Sequence, residues 1–299
     1  MASLNEIRNR VNSIASTQKI TGAMKLVASA KLLKSQYLIE NYRNYSDTLL
    51  SMLSNALTHA ENIDTALAQK APKETKFAIL VFASNSSLCG AFNHNIIHAF
   101  DDTLNQGRFK QAEAIQVYGF GKKINQHIRK QWLDNPDKNN NLQLEDYDQW
   151  LTKPNFMLIS SLADDLLKKV RQGDLHKVII IYTHFKNRGV QLVRNETLIP
   201  VPTPKKTQSH VSNYIFEPNA NELIDELLPA TIKSRIYGNL LDSSASEHAA
   251  RTNAMQAANE NADHIIEELR VQYNRVRQEV ITSEILDIIG GAEAIHKRR

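Results

Sequence analysis

Cysteine is almost absent from this chain. Cys89 is the one thiol in 299 residues, which excludes a disulfide within the chain. Long apolar runs are missing as well: hydrophobic residues make up 42% at a mean hydropathy of −0.40, and no stretch approaches the roughly 18 apolar residues that a membrane-spanning helix needs. The opening MASLNEIRNRVNS lacks the apolar centre of a signal peptide and already reads as helix, so a soluble, cytoplasmic chain is expected. In a reducing compartment the Asn85 and Asn195 sequons read as chance matches.

Proline and glycine are missing where they would stop a helix. From Ser3 to Ala60 there is no proline and one glycine, Gly22; from 219 to 289 only Pro229 and Gly238 interrupt the pattern. Uninterrupted helices over these stretches would run about 85 and 105 Å at about 1.5 Å per residue, well beyond the usual three or four turns. A 33.8 kDa globule cannot enclose them. They must support each other, and an antiparallel helix hairpin is the simplest arrangement. Gly22, Pro229 and Gly238 are the places where bends are expected.

The seams of both helices are thin. Leu4, Ile7, Val11 and Ile14 step by three and four, after which the seam passes to Thr17, Thr21, Met24 and Ala28. In the last helix Ile266, Leu269, Tyr273, Val276 and Val280 form a large-residue seam, preceded by the alanine- and serine-rich SSASEHAARTNAMQAANENA. Leucine at these positions would bury more apolar surface, at about 25 cal/mol per Å², so a slim, stiff rod is favoured over maximal stability. Charge is uneven too: residues 1–36 carry Arg8, Arg10, Lys19, Lys25, Lys31 and Lys34 against Glu6 alone, within a net charge of +4. That face can be simply solvated, or it can meet an acidic partner.

The middle, about 75–215, is long enough to bury its own core and alternates strand and helix signals. Phe77–Phe82, Ile115–Tyr118 and Val178–Tyr182 are apolar runs of strand length, separated by amphipathic stretches near 91–106, 120–132 and 159–172. That is β-α-β logic and predicts a small parallel sheet. Val190–Val193 and Leu198–Pro202 suggest two further strands, one at an edge because of its prolines. The polar stretch Asp134–Asp148 reads as a surface loop, and Pro200 to Ser209 as a linker.

The loops offer little chemistry. Ser84-Asn85-Ser86-Ser87-Leu88-Cys89-Gly90 lacks G-x-G-x-x-G spacing, and Gly119-Phe120-Gly121-Lys122-Lys123 is only part of a phosphate loop, so its glycines read as turn residues. His94 and His98 stand at i, i+4 without an H-E-x-x-H pattern; Cys89 has no C-x-x-C partner; no Ser-His-Asp set has positional support. No metal, cofactor or autonomous catalysis is expected. Nucleic-acid binding is not expected either, because the basic helix is short of aromatics.

Two segments carry a resemblance. LNEIRNRVNSIASTQKITGAMKLVASAKLLKS (Leu4–Ser35) and ASEHAARTNAMQAANENADHIIEELRVQYNRVRQEVITSEILDIIGGAEAI (Ala245–Ile295) closely resemble the terminal helices of the gamma subunit of F-type ATP synthase, with looser support from Leu88-Cys89-Gly90-Ala91-Phe92-Asn93. Where that family has Asp-Arg-Gly before Leu-Cys-Gly, this chain has Asn85-Ser86-Ser87, which removes charge from the turn.

The resemblance implies an α/β fold: a long antiparallel two-helix coiled coil (1–60 and 211–289) plus a small Rossmann-like domain with a mainly parallel sheet (75–205). It implies a rotor shaft inside a hexameric ring of alpha and beta subunits, with epsilon and the membrane c-ring as further partners, catalysis on beta, and a peripheral place at the cytoplasmic face of a bacterial inner membrane. Arg277 and Gln278 match positions that meet a catch loop of beta. Thr282, Glu284 and Arg251 match positions linked to coupling, and Met24 and Lys25 match the N-terminal helix where it passes an acidic segment of beta. Each of these also fits an ordinary coiled-coil surface or seam. A coiled-coil tether with an α/β head, or a nucleotide-dependent regulator, would share the fold without the ring.

Overall fold

The protein is described by a computed structural model covering residues 3–59, 67, 74–135, 141–151, 154–201 and 219–296. Two long helices dominate, α1 (Leu4–His59) and α6 (Ala220–His296). A reciprocal cap starts α1: the Glu6 amide donates to Ser3 Oγ at 3.2 Å while the Ser3 amide donates to Glu6 Oε2 at 2.8 Å. Asn219 caps α6 in the same way, accepting from the Glu222 amide at 2.8 Å. Helix α6 runs unbroken through Pro229, Gly238 and the Gly290-Gly291 pair, where sequence alone puts its end near 289. Within so long a helix a single proline or glycine costs a few kcal/mol at most, and neighbouring turns hold the ladder.

Between them lie β1 (Lys76–Phe82), α2 (Phe92–Asn105), the short α3 (Gly107–Lys110), β2 (Ala114–Phe120), α4 (Lys122–Ile128, continued by one wide turn over Arg129–Leu133), β3 (Leu142–Asp146), α5 (Phe156–Arg171), β4 (Lys177–Phe185) and β5 (Gln191–Ile199). The strand order is β3-β2-β1-β4-β5. Four strands are parallel, with Ile79 opposite Val117 and Ile179, and β5 is antiparallel to β4 at the edge.

Two expectations are corrected. The stretch Asp134–Asp148 is not simply a loop: 136–140 lie outside the described residues, but Leu142–Asp146 forms β3, parallel to β2. Its polar Leu-Gln-Leu-Glu-Asp composition hid it, because an edge strand buries only Leu142 fully and leaves Gln143 in water. The two strands expected at 190–202 are one strand, β5, and Pro200 lies just past its end. The proposed linker at 202–209 falls outside the described residues.

The central strands are buried on both faces. Phe77, Ile79 and Val81 join Ile115, Val117, Ile179 and Ile181 in a core roofed by α2 and α4. Ala78, Leu80 and Phe82 join Tyr118, Phe120, Ile180 and Tyr182 in a second core, closed by Ile159 and Leu166 of α5, Leu53 and Leu57 of α1, and Ile232, Ile236 and Leu240 of α6. The middle buries the first of these cores with its own residues but not the second. One of its two roofs is built from the long terminal helices.

At the mouth of the sheet Gly121 links β2 to α4 with φ +119°, and a Cβ there would come within 2.9 Å of the Ala83 carbonyl carbon. Gly173 has φ +77° with open space around it. Gly121→Ala should therefore destabilise the fold by about 2 to 4 kcal/mol, against about 1 kcal/mol for Gly173→Ala, measured as the difference in urea midpoints. Equal losses would show that the turn shifts freely.

Candidate functional site

The described chain divides into two compact units, one from Met1–Val27 with Thr252–Arg299, the other Ala28–Arg251. The seven residues expected at a partner surface fall into both, and each unit is considered by itself.

In the first unit the ends of α1 and α6 run antiparallel, joined by polar rungs as well as by apolar side chains. Gln18 donates to Asp263, Thr21 to Asn259, and Lys25 Nζ to Gln256 Oε1 at 2.7 Å. Apolar anchors sit between and beyond the rungs, with Ile7, Met255, Ala262, Ile266 and Leu269 buried. Met24 and Lys25 are half-buried in this seam. A Cβ on Gly22 would approach Asn259 Nδ2 to 3.3 Å, so a small residue there keeps the backbones close.

Helix α6 then continues without cover. Every residue from Arg277 to Gly290 is exposed, including Arg277, Gln278, Thr282 and Glu284. Thr282 Oγ1 donates back to the Gln278 carbonyl at 2.8 Å, as threonine commonly does within a helix. Beside these polar groups stand Val280, Ile281, Ile285, Leu286, Ile288 and Ile289, with Leu286 62% and Ile288 71% exposed. A bare helix carrying six large aliphatics in ten residues is a surface that calls for a partner.

Arg251 belongs to the second unit and its setting is different. Its guanidinium donates from Nη1 to the Ser87 carbonyl and from Nη2 to Glu247 Oε1, each at 2.6 Å, and the residue is buried. It clasps the β1–α2 turn to α6. The same turn is held on its other side, where Asn85 Nδ2 donates to the Asp148 carbonyl at 3.0 Å and Asn85 Oδ1 accepts from the Lys122 amide at 3.1 Å. Leu88 stands at the tip with φ +65° and is exposed, while Cys89 is buried beneath it, accepting from Asn93 Nδ2 at 3.1 Å. His94 and His98 are exposed on α2, and His98 pairs with Asp102 at 2.7 Å.

Burial shapes the electrostatics around the clasp. It pushes the Glu247 carboxyl up, against the pull of Arg251. It pulls His248 down to about 4, helped by the nearby charges of Lys31 and Arg251. The Glu247/Arg251 spacing of four was legible in the sequence; its attachment to Ser87 was not, because that contact joins residues far apart in the chain.

Known proteins resemble the whole chain. The sequence pattern of the ATP synthase family matches residues 3–295. The ATP synthase gamma chain of Bacteroides fragilis is 40% identical, covering 98% of this chain and 100% of its own length. Among solved structures, a chain from the central stalk and c-ring of Tetrahymena thermophila mitochondrial ATP synthase is 25% identical at a TM-score of 0.56, covering 80% of this chain and 99% of that one. A chain of the Euglena gracilis mitochondrial enzyme shares the fold at a TM-score of 0.66 and 16% identity, covering 98% of this chain and 94% of that one.

The depressed His248 yields a pH prediction. Folded, the imidazole stays neutral to about pH 4; unfolded, it takes up a proton at its ordinary value near 6.5. Its contribution is thus fully present above pH 6.5 and is lost as pH falls toward 4, by up to about 3 kcal/mol. Glu247, raised by burial, works with the opposite sign, its carboxyl being more readily protonated in the folded chain. Urea unfolding from pH 7 to 4 should show a shallower acid loss in His248→Gln than in the wild type; identical slopes would mean that the ring is solvated.

Proposed function

The chain belongs to the gamma-chain family of ATP synthase, and on that premise we propose that it is the non-catalytic rotor shaft of the complex, its terminal helices turning within a ring of alternating alpha and beta subunits. Residues 1–60 and 211–289 serve as the shaft and 75–205 as the body that meets epsilon and the c-ring. The protein lies peripherally at the cytoplasmic face of a bacterial inner membrane; no helix among the described residues is long and apolar enough to cross one.

The observation that carries this reading is the uncovered end of α6. Six exposed aliphatics are costly in water, at about 25 cal/mol per Å² of apolar surface, and a smooth apolar helix end suits a shaft turning against a sleeve. Next to it Arg277 and Gln278 offer a charged fork and an amide, free to hydrogen-bond a beta loop in some orientations and release it in others. Such orientation-dependent bonds are a coupling free energy between the rod and the nucleotide sites. Thr282 and Glu284 extend the same polar surface. Lys25 and Met24 meet an acidic segment of beta from the other helix. Arg251 contributes by holding its turn and helix in place, since its guanidinium is already committed within the chain.

The test is ATP hydrolysis by alpha and beta subunits reassembled with this chain. Activity should require the chain and fall about tenfold in Arg277→Ala combined with Gln278→Ala, the size expected for losing one or two charge-assisted bonds. Activity that needs the chain but ignores the substitutions removes the proposed contact. A chain that neither binds nor activates the ring turns the reading to a coiled-coil tether.

A further inference from the structure

A cleft of about 420 Å³ lies within the Ala28–Arg251 unit, lined by residues of α1, β4, β5 and α6. That is within the roughly 300 to 1,000 Å³ typical of small-molecule sites. Its walls bring together three guanidinium groups from three elements, Arg43 of α1, Arg194 of β5 and Arg235 of α6.

Two of the three carboxylates on these walls, Glu196 and Asp242, are already engaged. Glu196 accepts from Tyr182 Oη at 3.1 Å and Arg235 at 3.2 Å, and stands 3.5 Å from Arg194. Asp242 takes Arg43 at 3.1 Å and His184 at 2.7 Å. Burial and Glu196 push the Tyr182 phenol up to about 12, so it remains a donor. Each guanidinium has five N–H groups and spends only part of them on these partners. Asn239 on α6 adds a buried Nδ2 with no acceptor among the described residues. An unpaired buried amide costs about 1 to 3 kcal/mol, a cost that an acceptor reaching it from the cleft would offset. The cleft thus holds unspent donors, and two of its three carboxylates are occupied. Asp47, exposed on the α1 side, is the counterweight that keeps an anion toward β5 and α6.

We propose that this cleft binds a small molecule with clustered oxyanion groups, a polyphosphate or a polycarboxylate, gripped by Arg43, Arg194 and Arg235 and by the amide of Asn239. Guanidinium forks match either anion in bidentate fashion, and the shared chemistry is several acceptor oxygens within one compact ligand. Because the donors come from α1, β5 and α6, an occupied cleft ties three elements together and resists their separation.

Calorimetric titration of the full chain with pyrophosphate and, separately, with citrate, at fixed ionic strength, tests this. Saturable binding of at least one is expected, with pyrophosphate alone identifying a phosphate ligand, citrate alone a carboxylate, and both a general oxyanion site. Arg194→Gln should weaken binding about tenfold and Asp47→Asn should strengthen it about threefold. Lys122→Ala, on the exposed start of α4, should leave it unchanged. If Arg194→Gln does not fold, Asn239→Ala replaces it, with the same expectation of weaker binding. Failure of both anions to saturate below about 10 mM, or affinities indifferent to Asp47→Asn and the Arg194 or Asn239 variant, overturns the proposal.

Discussion

A parallel strand with apolar side chains on both faces must be roofed twice, and that requirement organises the molecule. Strand β1 is buried along almost its whole length, so half of its side chains need α2 and α4 while the other half need something equally apolar on the opposite side. Helix α5 covers part of that second face. The remainder falls to Leu53, Ala56 and Leu57 near the end of α1 and to Ile224, Leu228, Ile232, Ile236 and Leu240 near the start of α6. The spacing of the α6 residues, close to one per turn, marks one face of a helix laid along the sheet. The sheet and the roots of the long helices consequently form one core.

Farther along the helices the physics changes from burial to register. Rungs such as Thr21 to Asn259 and Lys25 to Gln256 contribute modestly, about 1 kcal/mol each, but a slip of the two helices would leave their partners unmatched. Polar seam residues are best attested in this role of fixing alignment. A thin seam thus keeps its alignment without bulk, which is the property a slim rod needs.

Arg251 shows how a matched position acquires meaning from its surroundings. A guanidinium in a buried place must be paired and hydrogen-bonded, because an unpaired buried charge costs several kcal/mol. Glu247 and the Ser87 carbonyl meet that demand, and in doing so they fasten the uncharged turn Asn85-Ser86-Ser87 to α6. Arg277, by contrast, is exposed on α6. The same residue type serves inside the fold in one case and is offered outward in the other.

Periodicity and punctuation in the sequence alone determined the two long helices, the three inner strands and the intervening helices, since these depend on local propensity and on apolar runs. The motif at each end was long enough to point to the family. Strand β3 was not legible, because an edge strand with polar residues looks like a loop until its neighbour β2 is in place. The continuity of β5 was missed for a similar reason: its middle, Arg194-Asn195-Glu196, is polar, and its pairing with β4 carries it. Tertiary structure alone decided which face of the sheet the long helices roof, that Arg251 is bound to Ser87, and that Arg43, Arg194, Arg235 and Asn239 converge on one cleft. Those contacts join residues tens to hundreds of positions apart, and no local pattern records a distance that only folding closes.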